Sequence, residues 1–265
     1  MSTDRPSLAV FKLASCDGCQ LRLLDCEDEL FAIGERVKIA HFLEASSAVA
    51  EGPYDLALVE GSITSAVDLE RIRSIRAQSK KLVTIGACAT SGGIQALRNM
   101  HDHGEMVRAV YAHPELLDSL ATSTPVSAHV PVDFELHGCP IDKGQLLEVI
   151  KAMLFGRKPT IPTHSLCLEC KMAGNTCVMV AAPREDGDTQ RFCLGPITHG
   201  GCGAICPTYG RGCYGCFGPS DAARPDVLAS ELRRRGATAV QISRLLSTFN
   251  AAAPAFHEEA KKHGG

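Results

Sequence analysis

The sequence predicts an α/β fold: a doubly wound parallel sheet over residues 1–160, then a loop-rich, cysteine-dense domain over residues 161–265 that ends in helices. Three observations lead there. Four short aliphatic runs alternate with helical patterns before Lys158. Eight glycines and five cysteines crowd residues 193–218, beside only four large aliphatic or phenylalanine side chains. After Pro225, apolar residues return at three- and four-residue spacing. With 265 residues and 45% hydrophobic content, the chain can bury a core in each part.

In chain order, SLAVFKL (7–13), VKIAH (37–41), DLALVEG (55–61) and KLVTIGA (81–87) read as strands. Their continuous aliphatic character suits a sheet covered on both faces. Gln20–Phe31 and Ser65–Gln78 between them carry the spacing of amphipathic helices. Strands alternating with helices imply βαβ units, a parallel sheet and an open fold of the flavodoxin-like kind. Beyond Lys158-Pro159 the pattern changes, and the apolar content of 193–218 is too thin for a core of its own. Metal sites commonly organise such segments. Asp226–Arg235, with Pro225 placed to start it, and Thr238–Phe249 read as helices bracing those loops.

Charge excludes some partners. A net charge of -3, with Lys and Arg scattered, offers no footprint for nucleic acid or anionic lipid. The N-terminus lacks the pattern of a secretion signal, and no apolar run approaches the roughly 20 residues of a membrane span. These features predict a cytoplasmic protein. In a reducing compartment thirteen cysteines point to metal ligation or redox chemistry rather than disulfides.

The cysteines fall into groups. Cys16 and Cys19 form a C-x-x-C pair after the first strand, Cys88 follows the fourth, and Cys139 follows a short extended run in ELHGCP. The carboxyl ends of parallel strands converge on one rim, so these thiols can meet although they lie far apart in the chain. A lone cysteine at position 88 or 139 would read as a small buried hydrophobe. The adjacent Gly18, Gly86 and Gly138, which let backbone N–H groups approach, and Pro140 after Cys139 favour a cluster ligand instead.

The second half holds Cys167-x-x-Cys170 with Cys177 and Cys193, then Cys202 and Cys206 with Cys213-x-x-Cys216. Spacing alone suits structural zinc as well as iron–sulfur. The surrounding glycines favour iron–sulfur, because a cubane is larger than one ion and its sulfides accept backbone hydrogen bonds. Cys26, inside the first helical pattern among Leu23, Leu24 and Leu30, is the spare thiol. Glu60 ends a strand on the thiol rim, where it can cap a helix or hydrogen-bond backbone. His137, His164 and His199 lie near cysteines and read as supporting or surface residues.

In order, the N-terminal C-x-x-C, VEGS (59–62), GACATSGG (86–93), HGCP (137–140), CLGPITHGGC (193–202) and CYGC (213–216) resemble nickel–iron hydrogenase small subunits. SLCLECKMAGNTC (165–177) and CLGPITHGGCGAICP (193–207) resemble in particular the small, or delta, subunit of the cytoplasmic, pyridine-nucleotide-linked sulfhydrogenase type. The resemblance implies three [4Fe-4S] clusters. Cys16, Cys19, Cys88 and Cys139 would hold the proximal cluster; Cys202, Cys206, Cys213 and Cys216 the medial one; Cys167, Cys170, Cys177 and Cys193 the distal one.

Two departures from the membrane-bound branch, Cys167 where histidine is common and Cys206 where proline is frequent, fit the cytoplasmic branch. The paired C-x-x-C sites of a hydrogenase large subunit are missing, so the resemblance puts the nickel–iron site on an obligate large-subunit partner. Iron–sulfur and flavin subunits that reduce NAD(P) are the further expected partners. Coenzyme F420- or disulfide-reductase-linked hydrogenases are the alternatives. The related subunit of NADH:quinone oxidoreductases carries a tandem Cys-Cys pair and no second cysteine-rich domain, unlike this chain.

Overall fold

A computed structural model describes residues 5–180 and 192–264. It divides the chain into two compact units, Met1–Thr160 and Ile161–Gly265. Unit one is built on five strands: β1 (Ser7–Lys12), β2 (Lys38–Phe42), β3 (Tyr54–Glu60), β4 (Ser79–Ile85) and β5 (Phe134–Leu136). All pair in parallel, in the order β2-β1-β3-β4-β5. That is the flavodoxin-like order, with its switch point between β1 and β3. Successive residues of β1 (Leu8, Ala9, Val10) and of β3 (Leu56, Ala57, Leu58, Val59) are all nearly inaccessible, so both faces of the sheet are covered.

The helices of this unit are α1 (Gly18–Leu24), α2 (Glu27–Arg36), α3 (Ala66–Ala77), α4 (Gly86–Ser91), α5 (His103–Val110) and α6 (Lys143–Leu154). On one face Ile72 and Ile75 of α3 join Ala9, Phe11, Ala57 and Val59 in a common core. Elsewhere α6 packs on β3 and β5 and buries Leu146, Val149 and Ile150. Ser65 starts α3 with a capping box: its side chain accepts the Asp68 N–H while Asp68 accepts the Ser65 N–H at 3.0 Å. The single helix expected over Gln20–Phe31 is instead two, α1 and α2, because the backbone turns at Cys26 and Glu27 takes φ +38°.

Unit two contains α7 (Leu166–Met172), the short α8 (Ile205–Thr208), α9 (Pro225–Arg234), α10 (Ala239–Leu246) and α11 (Pro254–His263). Pro225 occupies the first turn of α9, and Thr238 caps α10 through the Gln241 N–H. The loops of 193–218 do not lack a core, because Leu194, Ile197 and Ala204 pack with Leu228, Leu232, Ile242, Leu246 and Phe256 of the three C-terminal helices. Buried positions at four-residue spacing in each helix, such as Leu228/Leu232 and Phe256/Ala260, supply that surface. Among the described residues no helix is long and apolar enough to cross a membrane.

Candidate functional site

In unit one the thiols gather where strands end. β1 runs into the turn that carries Cys16 and Cys19, β4 passes directly into α4 with Cys88, and β5 leads to Cys139. Cys19 is buried, Cys88 and Cys139 half-buried and Cys16 exposed. Burial pushes the Cys19 thiol well up from its ordinary range, with Glu60, Cys139 and Cys88 pushing the same way. Cys88 is pushed up to about 11, first by burial, then by Cys139 and Cys16 against the opposing Gln95 side chain. Cys139 is raised by burial, Cys16 and Glu60. Cys19, Cys88 and Cys139 thus each lie in the field of other thiols of the set, Cys16 among them, and the structure brings the four to one rim.

Small residues hold the space around these thiols open. A side chain at Gly86, whose φ is +85°, would collide with Cys19 Sγ. One at Gly93, with φ +66°, would come within 2.7 Å of Cys88 Sγ. The Glu60 carboxylate, buried at the end of β3, accepts the N–H groups of Cys19 and Gln20 at 3.1 Å each, so its role is to cap α1 at the cysteine pair. Burial raises its carboxyl from the ordinary range, opposed by those two N–H donors. Gln95, unread in the sequence, accepts from Cys88 Sγ at 3.5 Å and donates to Ala14 O at 2.8 Å. Its signal was its position two residues after the glycine pair.

In unit two, Cys167 and Cys170 sit on α7 and face Cys177 and Cys193 across a small cavity. Leu166, Val178, Met179 and Pro196 complete much of its wall. The Cys167 thiol is pushed up to about 11 by burial, then by Cys193, Cys170 and Cys177. Cys193 Sγ accepts the Gly195 and Cys213 N–H groups at 3.4 and 3.2 Å. A side chain at Gly195 would stand 3.3 Å from Cys193 Sγ and 3.6 Å from Cys167 Sγ, so the missing Cβ keeps this hollow clear.

The remaining four thiols interact as two separate pairs, Cys202 with Cys206 and Cys213 with Cys216, and Cys213 also lies in the field of Cys193. Burial raises Cys202, opposed by the Ile205 and Ala204 N–H groups and reinforced by Glu169 and Cys206. Burial also raises Cys213, opposed by the Gly215 N–H, which reaches its Sγ at 3.3 Å, and reinforced by Cys193 and Cys216. The segment after α10 clamps the last pair: Thr248 Oγ1 donates to Tyr214 O at 3.1 Å and Asn250 Nδ2 to Gly215 O at 2.8 Å.

Cys26 lies apart from all of these, fully buried, with Sγ donating to Arg22 O at 3.4 Å. His164 and His199 face carboxylates, at 3.3 Å from Glu169 and 3.8 Å from Asp221. Among the described residues no three His, Cys, Asp or Glu side chains converge closely enough to hold a metal ion. The thiols of the α7 site line a space instead of closing on a point. Buried thiols with raised pKa are poor anions by themselves, and a polynuclear cationic core offsets that by displacing their protons. The donor set, the N–H groups aimed at sulfur and the hollow kept by Gly195 fit an iron–sulfur cluster.

Comparison with known proteins accounts for this arrangement. The family described as NADH ubiquinone oxidoreductase, 20 Kd subunit, matches residues 16–153, which carry the strand-end thiols. Sulfhydrogenase 2 subunit delta of Pyrococcus furiosus is 39% identical over 80% of this chain and 86% of its own length. One subunit of the F420-non-reducing hydrogenase of Methanocaldococcus jannaschii is 31% identical over 83% of this chain and 84% of its own. Among solved structures, an NAD+-reducing [NiFe]-hydrogenase in the H2-reduced state aligns with a TM-score of 0.56 and 30% identity, over 60% of this chain and 96% of that one. The chain therefore belongs to the nickel–iron hydrogenase small subunits, within the 20 Kd subunit family of NADH ubiquinone oxidoreductase, and is an electron-transferring subunit of a hydrogenase.

Proposed function

We propose that this chain binds three [4Fe-4S] clusters and carries electrons between the nickel–iron site of its large subunit and a flavin partner that exchanges them with NAD(P). Cys16, Cys19, Cys88 and Cys139 are the proximal ligands. Cys202, Cys206, Cys213 and Cys216 are the medial ligands, and Cys167, Cys170, Cys177 and Cys193 the distal ones. The observation that carries the reading is the gathering of thiols remote in sequence: four at the strand ends of one sheet rim, and four lining one cavity. Such clusters supply one-electron transfer at potentials set by hydrogen bonds to sulfur, charge and solvent exposure. The chain's own part is to fix the thiols, aim N–H groups at them and exclude water.

The NAD+-reducing relatives support the pyridine-nucleotide end point. The F420-non-reducing relatives favour a second reading in which another acceptor follows the same chain of clusters. Anaerobic purification of the whole complex tests both. About twelve irons and twelve acid-labile sulfides per chain are expected, together with a co-purifying flavin subunit carrying a dinucleotide-binding fingerprint. Zinc in place of eight of those irons would overturn the two C-terminal assignments, and a co-purifying disulfide reductase would select the second acceptor.

A further inference from the structure

A carboxylate stands between two ligand cysteines of α7. Glu169 lies in the Cys167-x-x-Cys170 pair, with a side chain only 16% exposed. One of its oxygens accepts the Gly201 N–H and the other the Gly203 N–H, the latter at 2.9 Å, so it grips the chain on both sides of Cys202. His164 Nε2 lies 3.3 Å from the same carboxylate, while His164 O accepts the Gly200 N–H at 2.9 Å. The space is filled: a side chain at Gly200 would come within 2.7 Å of Glu169 Oε1 and 2.8 Å of the His164 ring. Leu166 N–H also donates to Thr198 O at 2.9 Å, so the start of α7 and the 198–203 loop are bound together along their length.

Capping does not explain this arrangement. Glu169 lies in the first turn of α7, but the N–H groups it takes belong to a separate loop and not to its own helix. Because it accepts N–H groups on both sides of Cys202, its carboxylate charge stands beside that thiol. Next to an anionic iron–sulfur centre, the same charge disfavours the reduced state.

We infer that Glu169 is a positioning residue shared by the two C-terminal cysteine sets: it rides on the helix of the Cys167 set, fixes the loop of the Cys202 set, and lowers the reduction potential of the latter. This rests on the cluster assignment proposed above. Charge and geometry separate in two variants. Glu169→Gln keeps the side-chain shape and one acceptor oxygen but removes the charge; Glu169→Ala removes both.

The test is a redox titration of the purified holo-complex followed by electron paramagnetic resonance, with iron counted in each sample. In Glu169→Gln the medial signal should move to higher potential or be lost, with the proximal signal unchanged. In Glu169→Ala the medial signal should be lost. If Glu169→Ala fails to assemble, Glu169→Gln decides alone. Unchanged potentials and intensities of all signals in Glu169→Gln, or a downward medial shift, would overturn the inference. Failure of the underlying assignment shows separately, as an iron count in the wild-type complex well short of three cubanes.

Discussion

The carboxylate of Glu60 and the backbone N–H of Cys19 meet at 3.1 Å, joining the end of β3 to the first turn of the helix that carries the Cys19 thiol. A second oxygen takes the Gln20 N–H, so both oxygens serve the cysteine turn. Glu60→Gln keeps the volume but leaves one of two buried N–H groups facing an amide that cannot accept from it. Leaving a buried donor unsatisfied costs about 1–3 kcal/mol. Thermal unfolding should show that loss, and the proximal paramagnetic signal should broaden or shift. A variant equal to wild type in both would remove Glu60 from any role in holding Cys19.

Gly86 links β4 to α4 at φ +85°, and a side chain there would strike Cys19 Sγ. Gly86→Ala combines a left-handed backbone, which costs an L-residue about 1–2 kcal/mol, with displacement of a ligand. Loss of the proximal cluster is expected, with the two C-terminal clusters retained. Hydrogen-driven dye reduction should fall much further than hydrogen–deuterium exchange at the large subunit, which needs no long-range electron exit. Equal loss of both, in an assembled complex, would speak against an electron-carrying role for this rim.

His41 of β2 stacks on Phe11 at 4.4 Å between ring centroids, and burial, followed by the nearby Arg71, lowers its pKa from 6.5. The unfolded chain therefore takes up the proton first as pH falls. Stability is full above pH 6.5 and declines as pH drops from there toward the lower folded value. His41→Gln should flatten the fall in Tm between neutral and mildly acidic pH. Some slope should remain, because burial and Arg73 lower His129 as well. Parallel pH profiles for variant and wild type would show that His41 titrates normally.

Cys206 lies in the first turn of α8, where a proline's missing N–H costs no helical hydrogen bond. Cys206→Pro should fold, and the medial site should keep Cys202, Cys213 and Cys216 and convert to a three-iron cluster. Electron paramagnetic resonance of the oxidised variant detects that conversion. Proton reduction, which needs low-potential electrons to flow inward, should slow more than hydrogen oxidation. An unchanged four-iron site would mean that the eight C-terminal cysteines divide differently.

Sequence by itself determined the parallel sheet and the identity of the thiols. Aliphatic runs such as Leu56–Val59 have one stable setting, a strand buried on both faces, and cysteine spacing survives in any conformation. Tertiary structure decided what depends on contacts remote along the chain. The break of the first helical pattern at Cys26 and Glu27 leaves little trace in apolar spacing, which continues across the turn. Lys143–Leu154 and Pro254–His263 form helices beyond those the sequence predicts, and the latter completes the core that the glycine-rich loops could not build locally. Gln95 and Glu169 are ordinary polar residues in sequence. They become part of the sites only because folding carries Ala14 to one and the 200–203 loop to the other, where backbone C=O and N–H groups take them as partners.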